Sequence, residues 1–423
     1  MNSRRDAPRL ALTLLTAILT VGFIDRIVMN VLAVPVQAEF HISDTQVGLL
    51  TGLAFAILNV TLGIAVARYA ERGHRMRLIV VGTLLWSLAT AACAFVANFT
   101  QLLLARVGVG VGEAVGLPAN QSVIGDYFPA EKRATAMSVL MLSPPIGAFL
   151  GAAGGGWVAQ EFGWRNAFLI ATAPGALLAI AAWALIADPP RGRYDREASE
   201  AVPSLWAVFM RLWSLKSARH LVAGSTIASL VGFGLNGFFT FLLVRKFDMS
   251  LAQAAFWSAL LGSLPGAIAV IAGGRLADAY GPKRPSLYAA IPGWCLVAAA
   301  PLYIFGITRS SAPLLLAVVF VAALFQYTYL GVTYGVFQNL LHSRMRATGS
   351  ALLNGIYTLV GQGLGALLVG SLSDRLAPRY GSADGLAVAM AITAAIYLWA
   401  AVHYLIAARH VGSDLARVRA GER

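Results

Sequence analysis

Charge is what this sequence lacks. Only 12% of its residues are Asp, Glu, Lys or Arg, about half the roughly 25% of an ordinary soluble domain. Mean hydropathy is +0.71. A polar shell of normal size cannot be made from such a chain, which excludes a water-soluble globule and makes lipid the solvent for most residues. Cysteine is nearly absent: Cys93 and Cys295 both lie inside apolar runs, which excludes a disulfide framework and a thiolate zinc site. His41, His74, His220, His342, His403 and His410 are scattered along the chain, so no metal site and no cofactor is expected. G-x-S-x-G, H-E-x-x-H and a phosphate-binding P-loop are all missing. An enzyme and a self-contained ATP-driven pump are therefore not expected.

Long apolar runs fill the space that charge leaves. Segments able to cross a core of about 30 Å fall near 11–35, 47–68, 78–97, 101–125, 134–159 and 164–187, then near 219–244, 251–276, 285–306, 312–340, 348–373 and 383–408. The basic start, MNSRRDAPRL, leads into a run too long for a signal peptide and without a small-residue cleavage pattern, so it reads as the first span. The expected class is an all-α membrane protein of twelve transmembrane helices. Residues 1–187 form a first six-helix bundle, 188–218 a linker, and 219–423 a second bundle with a short tail. Within the linker, Trp206, Phe209, Met210 and Trp213 alternate with Arg211 and Lys216, the pattern of a helix lying in the headgroup layer.

The net charge of +13 sits between the apolar runs. It reads as topology signal and lipid-headgroup contact, not as a nucleic-acid surface. Arg4, Arg5, Arg9, Arg68, Arg72, Arg75, Arg77, Lys132, Arg133, Lys283, Arg284, Arg344, Arg346 and the Arg-rich tail mark one side; the opposite loops carry few basic residues. Both termini and the linker are then cytoplasmic. The excess of Arg over Lys, with abundant Ala and Gly, points to a bacterial source and hence an inner membrane. Twelve spans can enclose a pathway in one chain, so a monomer is expected.

The halves repeat. ARYAERGHR (67–75) parallels GRLADAYGPKR (274–284), EKRATAMS (131–138) parallels SRMRATGS (343–350), and GWVAQ (156–160) parallels GSLSD (370–374), at separations of 207, 212 and 214 residues. Inverted or duplicated halves place a substrate site near the midplane. GRLADAYGPKR resembles the loop signature of the major facilitator superfamily; the first copy departs from it at Glu71, where Asp is usual. FIDRIVMNVLAVPVQAEF (23–40), SDTQVGLLTGLAFAI (43–57), LLLARVGVGVGEA (102–114) and DYFPAEKRATAMS (126–138) resemble the spinster-like branch, over about the first 190 residues. The resemblance implies the major facilitator fold and an amphipathic, lipid-like substrate of the lysolipid or sphingolipid class, moved with protons.

Four ionisable residues fall inside spans of the first half: Asp25 and Arg26 in span 1, Arg106 and Glu113 in span 4. Each costs roughly 2.5–3.5 kcal/mol on insertion scales if left alone, so a mutually paired cluster facing an internal cavity is expected. Arg106 and Glu113 are seven residues apart, about 10 Å along the axis, and need partners on another helix. Asp25 and Arg26 are available, and the resemblance makes spans 1 and 4 neighbours around the cavity. Proton uptake by Asp25, with Glu113 as partner or relay, would release a guanidinium for an anionic headgroup; a static ion-pair network is the alternative. Cavity candidates elsewhere are Asn30, Asn236, Gln326, Tyr327, Tyr329, Asn354, Tyr357 and Gln362, with Phe233, Phe238 and Phe325 nearby.

Gly108, Gly112 and Gly116 line one face of span 4, and Gly147, Gly151 and Gly155 one face of span 5, letting helices approach closely. Pro144-Pro145 removes two donors and should bend span 5. Glu71, Arg72, Arg75, Arg133, Asp278 and Lys283 are candidates for a cytoplasmic latch. Asp44 is read as a cap of span 2 within Ser43-Asp44-Thr45, or as a proton entry. The leading function is a proton-coupled lipid transporter. A proton-coupled exporter of drugs or metabolites is the second reading, and a passive channel or scramblase the third.

Overall fold

A computed structural model of the chain describes residues 7–54, 56–57, 60–62, 73–191, 193, 204–341 and 345–420. The architecture is all-α, as the apolar runs require. Among the described residues nine helices are long and apolar enough to cross a membrane. The last of these runs through Gly381, whose φ of 81° and ψ of 165° are not helical, so it divides into two. The segments are consistent with twelve spans.

Contacts group the chain into two compact units. The first comprises Met1–Ile42, Leu53–Ala198 and Met249–Ala259. Its helices are α1 (Pro8–Phe40), α3 (Arg75–Cys93), α4 (Phe99–Glu113), α5 (Gly116–Tyr127), α6 (Ala130–Leu140), α7 (Ser143–Phe149), α8 (Gly155–Phe162) and α9 (Trp164–Leu185). Its core joins Leu15 and Ile18 of α1, Ile79 and Trp86 of α3, Val109 of α4, Tyr127 of α5, Leu140 of α6 and Ala179 of α9.

Two breaks in this unit have local causes. Span 4, expected to be continuous, stops at Glu113 and restarts at Gly116. Pro118 has no N–H for the Ala114 carbonyl, so the ladder fails there. Span 5 stops at Leu140 and restarts at Ser143. Pro144 and Pro145 supply no donors to the carbonyls of Leu140 and Met141, and both fit the first turn of α7, where the missing N–H costs nothing. The Gly147, Gly151 and Gly155 stripe packs on α1: a Cβ at each would lie 2.5 Å from Phe23, 2.8 Å from Ile24 and 2.4 Å from Val28.

The second unit comprises Ser43–Gly52, Ser199–Asp248 and Leu260–Arg423. The short α2 (Asp44–Gly48), continued by a π turn at Leu49–Leu53, begins in it. The others are α10 (Leu205–Ser214), α11 (Lys216–Phe247), α12 (Leu251–Tyr280, of which the part from Leu260 belongs here), α13 (Leu287–Thr308), α14 (Ala312–Asn339), α15 (Arg346–Ile356) and α16 (Gly365–Arg419), with a π stretch at Tyr357–Leu364 before α16. Helix α16 packs on α11, α13 and α2. Helix α10 buries Val208 and Leu212 and exposes Trp206, Phe209 and Trp213, whose rings stack at 5.5 and 5.8 Å.

One guanidinium ties the loop ends of the first unit. Arg75, 2% exposed, bonds Asp126, donates from Nε to Asp188 at 3.2 Å, and from Nη2 to the Pro189 carbonyl at 2.7 Å. Arg75→Leu strips this arginine from both carboxylates. It is expected to cost about 3–5 kcal/mol, read as a lower melting temperature of the detergent-purified chain. In the second unit a Cβ on Gly365 would lie 2.3 Å from the Leu230 carbonyl oxygen, whereas one on Gly274 meets nothing within 4 Å. Gly365→Ala should lower the melting temperature and Gly274→Ala should not.

Candidate functional site

Asp25 and Arg26 are adjacent on α1, so their side chains leave the helix about 100° apart. They answer different neighbours. Arg26 turns to α4 and donates from Nε and Nη2 to Glu113 Oε2, at 3.1 and 2.8 Å. Its guanidinium also lies 5.0 Å from the Phe23 ring. Asp25 is 0% exposed and turns to α3, where Thr90 donates its hydroxyl to Oδ2 at 3.4 Å. Arg106 is 1% exposed. Asp25 lies within electrostatic reach of both Glu113 and Arg106.

The cluster is incompletely satisfied. Among the described residues, Asp25 Oδ1, Glu113 Oε1, and Nε and Nη1 of Arg106 have no hydrogen-bond partner. Buried acceptors and donors left in this state are costly. Two of them carry opposite charge and sit near each other without a direct bond. Such an arrangement can bind or release a proton, or take a charged ligand group, at little geometric cost. Thr90 is the member that sequence reading missed, because a hydroxyl in an apolar helix more often bonds its own preceding turn.

Asp44 is not the cap of its helix. Ser43 is: its Oγ accepts from the Gln46 N–H at 3.2 Å, and Gln46 Oε1 accepts from the Ser43 N–H at 2.9 Å. This reciprocal box needs the residue before the first helical turn, and Asp44 is already inside it. The Asp44 carboxylate is instead gripped by Arg245, at 2.5 and 2.8 Å, and by the Ser373 hydroxyl at 2.6 Å. Asp374 in turn accepts from the N–H groups of Asp44 and Thr45, at 2.9 and 2.8 Å, and from the Thr45 hydroxyl. Arg245, Ser373 and Asp374 could not be paired with Asp44 from sequence, being about 200 and 330 residues away.

The remaining candidates separate. Gln326 is buried and takes the Tyr303 hydroxyl on Oε1; Tyr303 stacks on Tyr397 at 5.9 Å. Asn236 donates to the Tyr327 hydroxyl at 3.0 Å. Tyr357 is buried against Tyr334, Gln362 is buried in the π stretch, Tyr329 and Phe238 are buried, and Asn354, Phe233 and Phe325 are exposed. Asn30 is half-buried one turn beyond Arg26. Of the latch candidates, Glu71 and Arg72 lie outside the described residues. Arg133 on α6 and Asp278 on α12 have side chains that are not described. Lys283 is exposed, and Arg75 is held inside the first unit. A contact unforeseen from sequence joins α11 to α16, where His220 and His403 face each other with Nδ1 atoms 2.9 Å apart.

Comparison with known proteins agrees with this architecture. The Major Facilitator Superfamily profile matches residues 14–366. A protein described as an MFS-type efflux pump of Mycolicibacterium smegmatis is 30% identical over 414 residues, covering 96% of this chain and 95% of that one. Protein spinster homolog 3 of Danio rerio is 26% identical over 399 residues, 89% of this chain and 78% of the relative. Among solved structures, a bacterial homologue of the human lysosomal transporter Spinster, in an inward-facing, unoccupied conformation, is similar with a TM-score of 0.89 and 30% identity over 96% of this chain and 98% of that one. Its inward-facing, occupied form gives 0.88, also at 30% identity, over 97% of this chain and 98% of that one. The chain belongs to the major facilitator superfamily, as a spinster-like integral-membrane transporter and not an enzyme.

Proposed function

We propose that this transporter is a proton-coupled secondary carrier of amphipathic, lipid-like molecules of the lysolipid or sphingolipid class. It works as a monomer in a bacterial inner membrane, with both termini and the linker cytoplasmic and with α10 in the headgroup layer. The observation that carries the reading is Asp25. It is a fully buried carboxylate with one unpartnered oxygen, beside Arg106 with two unpartnered N–H groups and beside the Arg26–Glu113 pair. Protonating Asp25 removes one negative charge from this set. That changes which anion the arginines hold and shifts the balance between conformations. Arg26 and Arg106 then meet an anionic head, with Asn30 beside them. Asn236, Gln326, Tyr327, Asn354, Tyr357 and Gln362 are proposed to serve the second half of the substrate cavity. A relative described as a probable sphingolipid transporter, spinster homolog 1 of Arabidopsis thaliana, 28% identical over 176 residues, supports the lipid class.

The efflux pump among the relatives favours a second reading, export of drugs or small metabolites on the same proton-coupled scaffold. A panel of lysolipids, sphingoid bases and drug cations in proteoliposomes separates the two.

Proton coupling is tested on Asp25→Asn in proteoliposomes carrying a pH gradient. Accumulation against the substrate gradient should fall by about tenfold or more, while downhill exchange survives, since a coupling free energy of 1–3 kcal/mol corresponds to roughly 5–150-fold. Unchanged dependence of accumulation on the pH gradient would remove Asp25 from the coupling. Glu113→Gln, in the same assay, tests the relay role of its partner.

A further inference from the structure

Away from the charged cluster, the first unit carries a groove of about 440 Å³ where α1 begins, α5 ends and α6 begins. Arg9, in the first turn of α1, and Lys132, in the first turn of α6, supply two positive charges. Thr13 and Thr135 add hydroxyls, and Leu12, Phe128 and Ala136 form the apolar floor. Among the described side chains none that lines it is a carboxylate. The Thr13 hydroxyl donates to the Arg9 carbonyl at 3.0 Å. Neither Ala7 before α1 nor Pro129 before α6 caps its helix through a side chain, so both helix starts add positive potential to that of the side chains.

We infer that this groove is a binding site for one anionic phospholipid of the surrounding leaflet, its phosphodiester held between Arg9 and Lys132. Charge complementarity selects the anion: an arginine fork and a lysine on either side of a phosphate is a common pairing. The walls select a lipid over a free ion. Leu142, Ile146 and Leu150 are exposed to 52%, 44% and 49%. They lie beyond the end of α6, Ile146 and Leu150 one turn apart along α7 and its continuation, and form an exposed apolar stripe on the next segment of span 5. An acyl tail can lie on that stripe while its head sits in the groove. The site shares no residue with the Asp25 cluster and does not depend on the proposed substrate.

The test uses the full-length chain, purified, delipidated and free of any affinity tag. Retained and titrated lipid is counted by native mass spectrometry and by thermal shift. Phosphatidylglycerol should bind about 30-fold more tightly than phosphatidylcholine, as two cations near a surface contribute. Arg9→Gln with Lys132→Gln should remove that preference and leave phosphatidylcholine binding unchanged. Both side chains are exposed, so the double variant should fold. Ala136→Trp, which fills the floor and keeps both charges, should also remove the bound lipid. Asp25→Asn should keep the preference, which separates this site from transport. A preference that survives in the double variant overturns the inference. So does inorganic phosphate that stabilises the chain as well as phosphatidylglycerol does, or a bound lipid lost in Asp25→Asn.

Discussion

A charge moved into hydrocarbon or a dry protein interior loses its hydration, and only a nearby opposite charge or a set of hydrogen bonds replaces it. That constraint organises both units. In the first, buried Arg75 pairs with Asp126 and with half-buried Asp188, and half-buried Arg26 pairs with buried Glu113. In the second, half-buried Arg245 pairs with buried Asp44, and Asp414 takes the N–H and hydroxyl of Ser217 at 2.8 and 2.7 Å. Each of these groups is answered by a firm partner. Asp25 and Arg106 depart from the rule, since they lie near each other while keeping unpartnered atoms. A set of charges that is balanced in sum but not bonded throughout is the arrangement that a proton or a ligand can complete.

Close packing makes the placement of these charges possible. Glycines on span 5 bring its backbone onto α1 within the reach of a missing Cβ, and the breaks at Pro118 and Pro144-Pro145 let spans 4 and 5 change direction between segments. Glu113 closes α4 just before one of these breaks, so its carboxylate sits at an interruption of the helical ladder instead of within a continuous rod. In the second unit Gly48 of α2 and Gly52 of the π turn that continues it press on the backbone of Ala366 and Gln362, with virtual Cβ distances of 2.6 Å in each case. A π turn lies on both sides of that contact. Such turns widen a helix locally and leave carbonyls less fully used than a regular ladder does.

Much of this was readable in one dimension. Hydrophobic runs and sparse charge announce spanning helices, because lipid tolerates no unsatisfied backbone. Asp25, Arg26, Arg106 and Glu113 stand out because their cost in an apolar span is large enough to demand a reason. Asp44 is conspicuous too, but of its two readings the structure rules out the cap. Capping preference is shared by Ser43 and Asp44, and only the backbone at Ser43, with φ of −74° and ψ of 164°, decides between them. Thr90 and the His220–His403 contact left no signal, since neither residue type is unusual at the end or flank of a span.

The sequence by itself determined the helical class, most span positions among the described residues to within several residues, and the charges that fall inside spans of the first half, because each follows from composition or from local periodicity. Only the tertiary structure decided the pairing: Arg26 with Glu113, Asp25 with Thr90, Asp44 with Arg245 and Arg75 with Asp126. The partners come from helices between 51 and 201 residues apart. A charge can be paired by any opposite charge within a few ångströms, and which one comes within that distance is set by helix packing, which local sequence does not encode.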